Sequence, residues 1–155
     1  MNTQKKSINI VIVQARMTSS RFPGKVLADI NGKPSLQHML ERVSRAEMVN
    51  SIVVATTLNV TDDPIVELCD QLGYKVFRGD EFDVLGRFFQ AAQAENAEVV
   101  IRLTADCPMV DPTIIDKVIE VYNFGDFDYV SNCNERTYPD GLDVEVFTFS
   151  ALKKA

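Results

Sequence analysis

The sequence predicts an α/β fold: a doubly wound, mainly parallel sheet with helices on both faces. Two observations predict it. Short runs rich in Val and Ile recur without strict polar alternation, as strands buried on both faces do. Segments with helical spacing lie between them, and strand alternating with helix at this rhythm builds a parallel sheet.

In chain order, INIVIV (Ile8–Val13) is the first strand. Pro34 precedes Leu36, Met39, Leu40 and Val43, which share one helical face. SIVVAT (Ser51–Thr56) is the second strand. The DDP ahead of Ile65, Val66, Leu68 and Cys69 gives the next helix an acidic start and an early proline. YKVF (Tyr74–Phe77) follows as a strand, then a helix carrying Val84, Leu85, Phe88 and Phe89. EVVIRL (Glu98–Leu103) is the fourth strand, and DPT opens a helix through Ile114, Ile115, Val118 and Ile119. After Asp126 the pattern changes. DYVSN and LDVEVFTF read as strands flanking YPDG, whose Pro and Asp-Gly favour tight reversal. FSALKKA reads as the first turn of a helix at which the chain stops. The expectation is one nucleotide-binding α/β domain over residues 1–155, forming the N-terminal part of a longer catalytic domain.

A chain of 155 residues with 46% hydrophobic and 25% charged residues is ordinary for one soluble globular domain. Its 22 acidic against 16 basic residues argue against nucleic-acid or membrane-surface binding, since both need broad basic surface. Cys69, Cys107 and Cys133 show no CxxC spacing and read as reduced thiols. The N-terminal MNTQKK is polar, and the apolar run behind it is too short for a signal-peptide core or a membrane span. The expected location is the cytoplasm, with neither nucleic acid nor membrane as partner.

One stretch departs from the acidic balance. QARMTSSRFPGKVL (Gln14–Leu27) carries Arg16, Arg21 and Lys25 and no acid. It follows the first strand, and ligands of open α/β sheets bind beyond the carboxyl ends of the strands. Arginine forks and a lysine point charge suit phosphate oxygens. Ser19, Ser20 and the amides around Gly24 add neutral donors, and Pro23 holds the bend. The plainer reading is a solvated loop whose basic residues pair with surface acids. Neither GxxxxGK[ST] nor GxGxxG is present.

Asp106, in RLTADCPMVDP, is the best metal candidate: a carboxylate at a strand end suits Mg²⁺, which takes one or two carboxylates plus substrate phosphates. A turn or capping aspartate is the alternative. Asp111, ahead of an apolar-periodic helix, fits a cap. Cys107 reads as packing. The single histidine, His38, falls within a predicted helix as a surface or core residue. Ser-His-Asp and Cys-His mechanisms are thus poorly supported, and a histidine-rich zinc site is excluded.

QARMTSSRFPGKVL, VATT…TDDPI, FRGDEFDVLGRF, IRLTADCPMVDP and YPDGLDVEVF together resemble the cytidylyltransferase family, from about Ile8 to the end. That family includes deoxy-octulosonate and acylneuraminate cytidylyltransferases, and the resemblance is closest to its spore-coat polysaccharide branch. It implies a Rossmann-like domain of the nucleotide-diphospho-sugar transferase type. It also implies Mg²⁺-dependent transfer of CMP from CTP to a sugar acid, releasing pyrophosphate. By resemblance Arg16, Arg21 and Lys25 hold phosphates, Asp106 binds the metal, and Arg16, Lys25 and Asp106 carry catalysis. Gln14 and Ala15 meet the nucleotide, Thr56, Arg78 and Thr104 its base and ribose. Tyr138, Asp140, Asp143 and Glu145 shape the sugar side. Full-length members continue further, supplying a second metal-binding aspartate and homodimer contacts. Two alternatives stand beside this reading: a nucleotidyltransferase for another base or sugar phosphate, and a non-catalytic nucleotide-binding module.

Overall fold

The computed structural model describes residues 7–155, so the polar MNTQKK segment lies outside it. Strand β1 (Asn9–Gln14) is central because both its faces are apolar. Val11 and Val13 pack with one set of helices, Ile10 and Ile12 with the other, and all four are almost fully buried. The other strands are β2 (Asp29–Ile30), β3 (Lys33–Pro34), β4 (Ser51–Thr57), β5 (Lys75–Gly79), β6 (Val99–Thr104), β7 (Tyr129–Ser131) and β8 (Glu145–Thr148). The helices are α1 (Ser35–Val43), α2 (Asp63–Leu72), α3 (Val84–Ala94), α4 (Pro112–Phe124) and α5 (Phe149–Lys154).

Among the described residues the main sheet has six strands in the order β5-β4-β1-β6-β8-β7. β5, β4, β1 and β6 are parallel, and β8 runs antiparallel to both β6 and β7. β2 and β3 form a separate small hairpin. The chain moves outward from β1 through β4 to β5. It then crosses back to β6 on the opposite flank of β1, as a doubly wound sheet requires. Helices α1, α2 and α4 cover one face, α3 and α5 the other. The expected fold class is observed, with one addition. The late strands β7 and β8 extend the same sheet, because Val146 pairs with Ile101 and is itself fully buried.

Local chemistry sets the helix starts. Asp111 caps α4 by accepting the Thr113 N–H at 2.8 Å, and Asp83 caps α3 by accepting that of Gly86 at 2.8 Å. α2 has the acidic start and early proline that DDP promises, in Asp63 and Pro64. The first acid of DDP is spent in a 3-10 turn (Val60–Asp62), and Asp62 points inward instead of capping. FSALKKA does form a helix, α5, capped by the Thr148 hydroxyl and anchored by buried Leu152. Partly exposed His38 places Nε2 2.7 Å from the Ile30 carbonyl, a tie between α1 and the β2 hairpin. All three cysteines are free, and burial pushes the Cys69 thiol up to about 12. No helix among the described residues is long and apolar enough to cross a membrane.

Candidate active site

The loop after β1 is held in place at three points. Gly24, at φ 71°, adopts the left-handed conformation and donates its N–H to the Met17 carbonyl at 2.9 Å, closing the loop on itself. The Met17 N–H donates to Asp62 Oδ1 at 2.8 Å. The Thr18 hydroxyl donates to Glu81 Oε1 at 2.8 Å. A 3-10 turn (Lys25–Leu27) follows, with Val26 buried beneath it. Arg16, Arg21 and Lys25 are thereby turned into one open cavity of about 340 Å³ with Gln14, Arg102, Thr104 and Asp106. β1 and β6 run in register with Gln14 beside Thr104, so the cavity opens at the carboxyl ends of the two central strands.

Asp62 is the centre of this scaffold. It is fully buried, and its Oδ2 accepts the Thr57 hydroxyl at 2.5 Å, the Thr56 hydroxyl at 3.1 Å and the Thr57 N–H at 3.2 Å. Burial alone would push its pKa up. Hydrogen bonds from Thr57, Met17 and Thr56 outweigh that and hold the carboxyl below its ordinary range. One buried carboxylate thus ties the end of β4 to the start of the basic loop. Glu81 is the second brace. It accepts from Thr18 and from Asn59 at 2.6 Å, lies 3.6 Å from Arg16, and has its pKa lowered chiefly by the first two.

Lys25 Nζ lies 2.8 Å from Asp106 Oδ2. Burial pushes the Asp106 pKa up, but the Lys25 ammonium and the Thr104 hydroxyl outweigh it, so the carboxylate is ionised at neutral pH. Among the described residues Arg21 has no ion-pair partner. The cavity therefore offers several cations around a single ionised carboxylate. No group of three or more His, Cys, Asp or Glu converges to hold a metal among the described residues. Lone Asp106 still suits Mg²⁺, a cation that fills its remaining positions with phosphate oxygens and water.

Several of the residues that the sequence nominates gather here and others do not. Gln14, Arg16, Arg21, Lys25, Thr104 and Asp106 all line the cavity. Ala15 is buried and its N–H is used by the Ala55 carbonyl at 3.1 Å. Thr56 is fully buried with its hydroxyl committed to Asp62. Arg78 holds the β4–α2 connection: it donates to the Thr57 and Asn59 carbonyls, both at 2.8 Å, and pairs with Asp63 at 2.8 Å. Asp140 and Asp143 pair with Arg136 on their own loop at 2.8 and 3.4 Å, and neither they nor Tyr138 line the cavity. Glu145, on β8, pairs directly with Arg102 of β6 and lines an adjoining apolar chamber. Sequence reasoning does not reach Asp62, Glu81 or Arg102. Asp62 is legible there only as half of an acidic helix start.

The cytidylyltransferase family model matches residues 10–155. The chain belongs to the cytidylyltransferase family. It is 37% identical over 149 residues to the spore coat polysaccharide biosynthesis protein SpsF of Bacillus subtilis, covering 92% of this chain and 60% of that protein. It is 39% identical over 110 residues to the 3-deoxy-manno-octulosonate cytidylyltransferase of Geobacter sulfurreducens, covering 70% of this chain and 42% of that enzyme. Among solved structures, a cytidylyltransferase from Leptospira borgpetersenii superposes with a TM-score of 0.91 at 37% identity, covering 96% of this chain and 63% of that one. The chain thus spans about three-fifths of the length of the first curated relatives that it matches, 59% and 60%. The family resemblance read from five motifs is confirmed, and residues of the Gln14–Leu27 loop line the cavity.

Proposed function

We propose that this cytidylyltransferase-family chain supports transfer of CMP from CTP to a sugar acid, with release of pyrophosphate, in surface polysaccharide or glycoconjugate synthesis. The observation that carries the reading is the convergence of Arg16, Arg21 and Lys25 on one cavity beside ionised Asp106. The octulosonate-specific name of one relative and the polysaccharide role of another support the acceptor class. In this reading residues 1–155 are the nucleotide-binding unit, acting in the cytoplasm and as a homodimer in the whole protein.

The reaction is in-line attack by a sugar hydroxyl oxygen on the α-phosphorus. The bond from that phosphorus to its bridging oxygen breaks, and pyrophosphate leaves. Such transfers ask a protein mainly to position groups and offset charge. Arg16, Arg21 and Lys25 bind the β- and γ-phosphates and stabilise the charge that grows on the leaving group. Thr104 and Gln14, at the strand ends, face the nucleotide from the cavity floor. Asp106 would hold Mg²⁺, which when bound supplies further neutralisation at the phosphates. The triphosphate would also draw Lys25 from its pairing with Asp106, releasing that carboxylate toward the metal.

Pyrophosphate release measured with CTP, Mg²⁺ and a panel of sugar acids tests this directly. The expected result is release that needs both CTP and an acid. Release with a neutral sugar phosphate, or with UTP, ATP or GTP in place of CTP, would select the other nucleotidyltransferase reading. Nucleotide binding without any release would select a binding module.

A further inference from the structure

Arg102 stands at the common wall of two cavities. One is the basic cavity. The other, about 440 Å³, is lined by Leu85, Phe88, Tyr129, Phe147, Ala151 and Glu145, among others, and is largely apolar. β6 places Arg102 two residues before Thr104, so both side chains lie on one sheet face. Its guanidinium carbon lies 5.7 Å from the centre of the Phe88 ring, a cation–π contact that fixes the plane of the fork. On the other side it pairs with Glu145, and Glu145 Oε2 also accepts the Tyr129 hydroxyl at 2.9 Å. Tyr129 and Phe147 stack at 6.3 Å and close the apolar side.

A cross-strand ion pair alone would explain Arg102 opposite Glu145. It would not explain why the pair stays about a third and a quarter exposed, at the junction of a polyanion-binding loop and an apolar chamber. A guanidinium carries five N–H donors, and among the described residues Glu145 is the only carboxylate it meets. Its fork suits a second carboxylate.

We propose that Arg102 is the residue that reads the carboxylate of the acceptor. Glu145 and Tyr129 take a sugar hydroxyl, and the deoxy or acyl flank of the sugar lies against Phe147 and Leu85. The assignment rests on the proposed transfer to a sugar acid. It places the acceptor next to the phosphates, with the selecting charge on the rigid central sheet rather than on the Arg136 loop.

The test is calorimetric titration of the whole chain with 3-deoxy-manno-octulosonate and with its methyl ester, in wild type, Arg102→Gln and Arg102→Lys. CTP is titrated separately into each. Wild type should prefer the acid over the ester by about tenfold or more, the size of a charge-assisted pair. Arg102→Gln should erase the preference and Arg102→Lys should lose most of it, whatever change either makes to CTP binding, since Arg102 also lines the basic cavity. A merely structural pair would weaken acid and ester alike. Preference retained in Arg102→Gln, or wild type that binds the acid no better than the ester, overturns the assignment. Absence of CTP binding in wild type would instead sink the nucleotide reading, while the acid-to-ester ratio still decides the role of Arg102.

Discussion

Replacing Asp62 with alanine should destabilise the fold by about 3 kcal/mol, because it orphans buried donors from Thr56, Thr57 and Met17 at once. For a domain of this size that lowers the melting temperature by about 6–12 °C. Asp62→Asn keeps one acceptor oxygen and should cost about half as much. Asp62→Ala should also lose the grip on Met17, so nucleotide affinity should fall with stability although Asp62 touches no ligand. The pH dependence has a definite sign. The folded carboxyl titrates below its unfolded value, so its contribution is complete above about pH 4 and fades as pH falls through the folded pKa. The stability gap between wild type and Asp62→Asn should therefore narrow as pH falls below about 4. A gap constant over that range, measured by urea unfolding, would contradict the role given to this carboxylate.

Lys25→Ala separates function from scaffold. Lys25 and Asp106 are 29% and 42% exposed, so their ion pair contributes under about 1 kcal/mol to stability. Nucleotide binding should fall far more. Losing one charge-assisted contact to a triphosphate costs about 2 kcal/mol, or roughly thirtyfold in affinity. Asp106→Asn should leave the fold intact, retain nucleotide binding without metal, and lose the gain that Mg²⁺ brings. Calorimetric titration of CTP with and without Mg²⁺ reads all three quantities. If Lys25→Ala bound CTP as wild type does, the loop would be the solvated, acid-paired surface of the plainer sequence reading. Metal-dependent binding or turnover kept in Asp106→Asn would remove that residue from the metal site.

Much of this was legible in the sequence because local rules and tertiary structure agree. The unbroken apolar run of β1 demanded burial on both faces, and it is buried on both. DPT before α4 promised a cap, and Asp111 supplies it. The Gln14–Leu27 loop advertised itself by charge in an acidic chain. What stayed hidden depends on contacts between distant residues. Nothing in TDDP tells that Asp62 turns inward to meet Met17, 45 residues earlier. Arg78 and Thr56 sit where a ligand-contacting residue would sit in sequence, yet the fold spends their donors on the β4–α2 connection and on Asp62. The partner of Arg102 is equally hidden, because Glu145 reaches it only when β8 pairs with β6, 43 residues later.

Thermal unfolding with CTP, UTP, ATP and GTP, each with and without Mg²⁺, tests the central claim most directly. A ligand at 100 times its dissociation constant stabilises the folded state by about 2.7 kcal/mol, which raises the melting temperature here by about 5–11 °C. The prediction is a rise with CTP that grows when Mg²⁺ is added, and little or none with the other three nucleotides. Equal rises with all four, or none with CTP, would contradict a CTP site built from Arg16, Arg21, Lys25 and Asp106.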